Sequence, residues 1–238
     1  MRKLFVMGAS GKLVRHIVLA LTKDYELFLQ CSKKCEELEA FLTRARGELS
    51  NSGIHLIKHD FLEESVEKLS MKLRDLTSSL DASILIEPVF DQTLFQDLRE
   101  ELIKNIIYLN LVVPITLMKV LTSFLVSDQS VIIVLVDLTP VKGSRIYSGL
   151  NPSLPTIASS AALYTIIKEA PYYLPKNIKV FGVALDWVNV PSKKLPPNAT
   201  SVAISVNDVI RTIKELLSNS SKLPSGTLMK LSHRKEVT

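Results

Sequence analysis

The residues of this chain that could do chemistry fall into a few short groups. The first is the turn Gly8-Ala9-Ser10-Gly11-Lys12-Leu13-Val14, which follows the apolar run Lys3–Met7 and opens an amphipathic stretch. A glycine turn between a first strand and a helix presents backbone N–H groups and the positive helix end to a phosphate. The same pattern also serves as a tight strand–helix turn that binds nothing. Val14 stands where the last glycine of such turns lets helix and ligand approach closely, so its branched side chain crowds the site or displaces the helix.

The second group is Gln30-Cys31-Ser32-Lys33-Lys34. An acid at the end of the second strand holds a ribose 2′-hydroxyl, whereas a 2′-phosphate needs a cation. No acid stands here, and Lys12, Arg15, Lys33 and Lys34 are near in sequence. If a dinucleotide binds, a phosphorylated one is favoured; the plain alternative is that these lysines are simply solvated. Cys31 and Cys35 offer half a metal site or a redox pair, but no second Cys/His cluster accompanies them. Their four-residue step suggests one helix face, and free thiols in a reducing cytosol are the expectation. No metal site is expected. The last group is Tyr164-Thr165-Ile166-Ile167-Lys168, a Tyr-x-x-x-Lys pattern in which a phenol could act as acid or base beside a cation.

The elements that must position these residues alternate. Strand patterns cover Lys3–Met7, Tyr25–Gln30, His55–Lys58, Ala82–Ile86, Val131–Val136, Lys179–Ala184 and Thr227–Leu231. Helical patterns cover Lys12–Thr22, Glu36–Arg46, Glu63–Leu76, Phe95–Phe124 (one long helix or two), Ser159–Ala170 and Val206–Leu217. Repeating βα units demand a mostly parallel sheet with right-handed crossovers. The expected fold is α/β: a Rossmann-like, doubly wound parallel sheet in three layers, α/β/α, forming one domain over residues 1–238. The segments Thr139–Pro155 and Pro191–Thr200 and the tail after Ser232 read as the least ordered.

Composition narrows the function classes. The chain has 238 residues, 47% hydrophobic and 22% charged, with a formal net charge of +5. The basic residues are scattered among acids rather than clustered, and aromatics make up only 6%, so a nucleic-acid platform is not expected. Ile106–Val126 is nearly all apolar, but Asn110, Pro114 and Lys119 interrupt it, and a core helix followed by a buried strand explains it without a membrane.

Taken together these motifs resemble the short-chain dehydrogenase/reductase family over nearly the whole chain. The matching segments are Gly8-Ala9-Ser10-Gly11, His59-Asp60-Phe61-Leu62, Asn110-Leu111 with Pro114, Ser159-Ser160-Ala161-Ala162-Leu163, Val183-Ala184-Leu185-Asp186-Trp187-Val188, and Leu217-Ser218 followed by Ser225-Gly226. The resemblance implies a cofactor site at Gly8, Ser10, Gly11, Lys12, Leu13, Lys33, Asp60, Phe61 and Asn110. With Lys33 in place of an acid, that cofactor is NADP if any. It also implies hydride transfer to a carbonyl, with tyrosine as acid/base, lysine beside it and serine orienting the carbonyl. That machinery carries over poorly: the serine falls on Asp137, the tyrosine and lysine fall on Thr156 and Ser160, and Asn-Asn-Ala-Gly falls on Leu85-Ile86-Glu87-Pro88. Only the asparagine is kept, as Asn110.

Spacing argues against Tyr164 and Lys168 as replacements. About five helical turns separate Ser160 from the strand at Ile178, but only about three separate Lys168 from it, so the pair sits away from the cofactor end. No catalytic residue is therefore assigned, although Arg145 or Tyr147 could swing inward. The leading expectation is a divergent family member with a weak NADP site and no ordinary reductase chemistry. The alternatives are an active NADPH-dependent carbonyl reductase using Tyr164 and Lys168, and a non-catalytic regulatory or assembly protein with a closed cleft. The chain is expected in the cytoplasm, as a homodimer or homotetramer built on the two long helices through Val113, Leu117 and the small residues Ala158 to Ala162. A small-molecule ligand or dinucleotide is the expected partner.

Overall fold

The computed structural model describes residues 1–45, 53–138, 152–191 and 203–232. Its centre is a seven-stranded, fully parallel sheet: β1 (Arg2–Val6), β2 (Tyr25–Cys31), β3 (Ile54–Lys58), β4 (Ala82–Ile86), β5 (Ser130–Asp137), β6 (Ile178–Leu185) and β9 (Thr227–Leu231). The strand order is β3-β2-β1-β4-β5-β6-β9, so the winding reverses between β1 and β4. In open sheets of this kind the ligand crevice lies at that reversal, beyond the carboxyl ends of the strands. The short strands β7 (Val188–Asn189) and β8 (Ile204–Ser205) pair separately.

Strand alternation fills both layers. In β1, Leu4 and Val6 join one buried cluster while Phe5 joins the other; in β5, Val131, Ile133 and Leu135 point to the first, and Ile132, Val134 and Val136 to the second. A strand covered on both faces must be apolar at both parities. The first layer holds α1 (Lys12–Leu21), α2 (Cys35–Arg44) and α7 (Val206–Ser218). The second holds α3 (Val66–Leu76), α4 (Glu100–Ile107), α5 (Val113–Leu121) and α6 (Leu154–Glu169). Gly182 of β6 marks the tightest approach: a Cβ there would lie 2.3 Å from Leu228 Cδ1 and 2.9 Å from Ile167 Cδ1.

The helical stretch expected over Phe95–Phe124 is interrupted. A π-turn at Tyr108–Val112 joins α4 to α5. Pro114 has no N–H to give the carbonyl of Asn110 four residues earlier, so the regular ladder fails there. Among the described residues, Glu100–Leu121 is one helical stretch long and apolar enough to cross a membrane, with mean hydropathy 1.4. Its Val113, Leu117 and Leu121 are buried in the second-layer core, and Ile106 is buried where α4 meets its neighbouring helices. This corrects the expectation that Val113 and Leu117 face a second copy: they belong to the core, and the exposed apolar residues are Ile103, Val112 and Ile115. Likewise Ser159 and Ser160 point inward, and only Ala158 and Ala161 of that small-residue stretch are exposed.

The cysteine expectation is also overturned. Cys31 and Cys35 form a disulfide with a Cα–Cα distance of 5.3 Å. They share no helix face, because β2 runs on to Cys31 and Cys35 opens α2, so the chain folds back between them.

Candidate functional site

The glycine turn closes the carboxyl end of β1. Gly8 has φ +67°, and a Cβ there would meet nothing within 4 Å, so the position is conformationally restricted to glycine while the space above it stays open. The Gly11 N–H returns to Gly8 O at 3.0 Å, and Gly11 is the N-cap of α1. No side chain caps that helix and no acid occupies its first turn, so its amide end is suited to an anion. Lys12 is exposed and Leu13 partly buried at this end. Val14 packs against the turn from below: it is buried in the first layer with Ile17 and Val18, and its Cγ2 would lie 3.2 Å from a Cβ placed on Gly11.

A residue that sequence reasoning passed over holds this turn in place. Gln30, 3% exposed, accepts the Gly8 N–H at 2.8 Å through Oε1 and donates from Nε2 to His59 O at 2.7 Å. Its carbonyl accepts the Ala9 N–H at 2.9 Å, and Cys31 O accepts the His59 N–H at 2.8 Å. One amide therefore joins the ends of β1, β2 and β3. The only signal in the sequence was a lone amide closing an apolar strand. Arg15 makes a second tie: Nε donates to Ser10 O at 3.0 Å, and the guanidinium meets Glu37 of α2 at 3.1 Å.

Lys33 and Lys34 are exposed between β2 and α2. Asp60, after β3, caps its own turn by accepting the Leu62 N–H at 3.0 Å. Phe61 is buried in the second-layer core, edge-on to His59, so only its backbone is left for a ligand. His59 is fully buried, with neither ring nitrogen hydrogen-bonded among the described residues. Burial holds its imidazole below the usual histidine range, against the opposing pull of Glu64. These groups share one end of the sheet with the glycine turn; Asn110 stands apart, beyond β4. It is fully buried, donates to Val89 O at 2.7 Å and accepts the Val89 N–H at 3.0 Å, pinning the chain that leaves β4.

Beyond β4 and β5 the site is polar but self-satisfied. Ser160 Oγ lies 2.7 and 2.9 Å from the two oxygens of Glu87 and 3.0 Å from Thr156 O. Glu87 Oε2 accepts the Asp137 N–H at 2.9 Å. Burial pushes the Glu87 carboxyl up to about 8, offset in part by the bonds from Ser160 and Asp137 N–H and reinforced by the Asp137 charge. A protonated Glu87 balances the proton count: it donates to Ser160 Oγ, which then donates to Thr156 O. Thr156, 2% exposed, shares its hydroxyl with Ser153 Oγ at 3.1 Å and accepts the Asp91 N–H at 3.4 Å.

Tyr164 lies closer to the strand ends than its spacing suggests. Its hydroxyl donates to Asp137 O at 3.0 Å, because a long helical side chain leans toward the N-terminus of its own helix. Burial, then the charges of Asp137 and Glu87, push this phenol above its ordinary range. Lys168 is exposed one turn further on. Arg145 and Tyr147 lie outside the described residues.

No family model matches the chain, and neither does any curated protein. Solved structures do match. An alternative dihydrofolate reductase, FolM, from Brucella suis in complex with NADP superposes with a TM-score of 0.80 at 20% identity, over 97% of this chain and 93% of that one. A short-chain dehydrogenase/reductase from Serratia marcescens gives 0.82 at 14% identity, over 97% and 96%. A short-chain dehydrogenase from Burkholderia cenocepacia in complex with NADP gives 0.81 at 15%, also over 97% and 96%. The chain has the fold of the short-chain dehydrogenases and reductases.

Proposed function

We propose that this chain is a divergent member of that family, one domain over residues 1–238, that binds NADP without ordinary carbonyl reductase chemistry. The pyrophosphate would rest on the amide end of α1 at Gly8–Leu13. Lys12 and Lys33 would meet the 2′-phosphate, with Asp60 and the Phe61 backbone bordering the site and Asn110 acting only through the chain it pins after β4. The open space above Gly8 and the absence of an acid between Gln30 and Lys34 support this half of the reading. NADP, when bound, would supply hydride chemistry; the protein's part in such a reaction is to deliver a proton to the developing alkoxide.

The observation that carries the loss of chemistry is the Glu87–Ser160–Thr156 chain. The positions that resemble the family's lysine and tyrosine hold two hydroxyls committed to neighbours inside the protein. Neither supplies a cation or an acid of suitable strength. A second reading, an active reductase, is favoured by the reach of the Tyr164 hydroxyl to the end of β5. Turnover of NADPH over a carbonyl panel decides between them. The proposed protein shows none; a rate that falls ~10²–10⁴-fold in Tyr164→Phe would instead make Tyr164 the acid. Calorimetry should give NADP as the tighter ligand over NAD, with Gly11→Val removing binding.

The proposed setting is the cytoplasm, and the proposed assembly is a homodimer or homotetramer. Only 33% of the most apolar stretch of Glu100–Leu121 is buried, leaving Ile103, Val112 and Ile115 exposed, as Ala158 and Ala161 of α6 are. A second copy would cover this face. Light scattering should give at least twice 26.5 kDa, and Val112→Glu or Ile115→Glu should dissociate the assembly.

A further inference from the structure

We infer that Cys31–Cys35 is a thiol–disulfide exchange site whose state sets how tightly the adjoining cleft holds a 2′-phosphorylated dinucleotide. The second clause rests on the reading of the cleft given above; the first stands without it.

The two sulfurs are unequal in the way exchange requires. Cys31 is fully buried in the first-layer core, whereas Cys35 is partly exposed as the first residue of α2. The amide end of a ten-residue helix and the neighbouring Lys33 and Lys34 favour negative charge on a sulfur at Cys35, against the opposing acids Glu36 and Glu37 of the same first turn. Ser32 O lies 3.2 Å from Cys35 Sγ, ready to accept the thiol proton in the reduced form. The exposed sulfur is thus the one a small thiol can reach and the buried one is its leaving group.

The reaction is balanced by two equivalents of a low-molecular-weight thiol. The first attacks Cys35 Sγ as its thiolate, the Cys31–Cys35 bond breaks, and Cys31 leaves and takes a proton. The second attacks the mixed disulfide at the small molecule's sulfur and releases Cys35, which is protonated in turn. The protein disulfide gains two electrons and two protons, and the two thiols become one disulfide.

The pair sits between the elements that would meet the phosphates. It closes the loop that carries Lys33 and Lys34. Cys31 follows Gln30, whose amide holds Gly8 and the end of β3, and the Cys31 carbonyl holds the His59 N–H. Two residues past Cys35, Glu37 pairs with Arg15, which bonds Ser10 O in the glycine turn. Opening the bridge frees the start of α2 from β2, and ordering Lys33 and Lys34 against a phosphate then costs conformational entropy that the closed form has already lost.

The test equilibrates the full-length protein in glutathione buffers of varied thiol-to-disulfide ratio and counts thiols by alkylation and mass. The expected result is a reversible change between no free thiols and the two that the sequence holds, with Cys35 alkylated before Cys31. Cys31→Ala should trap glutathione on Cys35, and Cys35→Ser should trap none. Calorimetry should show NADP bound ~10-fold more weakly by the reduced form and by Cys35→Ser, with NAD unchanged. Thiols that stay at two at every ratio, or a trapped adduct on Cys31, overturn the exchange site. Exchange with equal NADP affinity in both states overturns the coupling. NADP bound by neither state while exchange proceeds refutes the reading of the cleft and upholds the exchange site.

Discussion

Replacing Glu87 with glutamine tests the proton count at the end of β4. The carboxyl rises from 4.5 to about 8 in the folded protein, so it stays protonated at neutral pH and donates to Ser160. A raised carboxylate makes its full contribution to stability below the unfolded pKa and loses it as pH rises through the folded one. Wild-type stability therefore declines from about pH 5 upward, through pH 8. Between about pH 6 and pH 9 the linkage amounts to roughly 2–3 kcal/mol. Glutamine copies the protonated acid, with an amide N–H for Ser160 and an oxygen for the Asp137 N–H, and cannot ionise. Urea denaturation should thus find the stability advantage of Glu87→Gln over wild type larger by roughly 2–3 kcal/mol near pH 9 than near pH 6. A difference that does not change with pH would refute the protonated assignment.

Gly182→Val should destabilise the fold by about 1–3 kcal/mol, because its Cβ enters the space of Leu228 and Ile167; an unshifted urea midpoint would show that β9 and α6 can part. Gln30→Ala should cost roughly 2–4 kcal/mol, leaving the Gly8 N–H and His59 carbonyl without partners, and hydrogen exchange at Gly8 should accelerate. The depressed pKa of His59 means that its contribution to stability is lost as pH falls below 6.5, the unperturbed value. His59→Leu should flatten that acid limb, and an unchanged acid profile would place the lability elsewhere.

Much of the fold was legible because its elements are written in periodicity. Ala82–Ile86 and Thr227–Leu231 have the bounds their patterns gave, and the β-branched run at β5 is buried on both sides as its composition implies. The glycine turn was legible for the same local reason. What escaped depends on contacts distant in sequence. Nothing local says that Gln30 turns inward to reach His59, or that Glu87 meets Ser160 rather than water. The π-turn had a local cause, Pro114 four residues after Asn110, that periodicity alone does not register. The interface residues were misplaced because a helix apolar around most of its girth does not say which stripe faces the sheet. The disulfide was missed because a four-residue step has one meaning inside a helix and another across a strand–helix corner.

The Gln30 amide also bears on how the chain folds as it leaves the ribosome. Both β1–β2 and β2–β3 pairings, and the amide that joins all three strand ends, lie within the first 60 residues. A nascent chain can assemble this half before the rest is translated. Yet β1 is central in the finished sheet, and its other edge is filled only when Ala82–Ile84 have been made. Until then the growing protein carries a bare, apolar edge at Leu4–Val6, a template for stray pairing. The interval between synthesis of β3 and of β4 leaves this edge open, and slow codons placed there should raise the yield of aggregate.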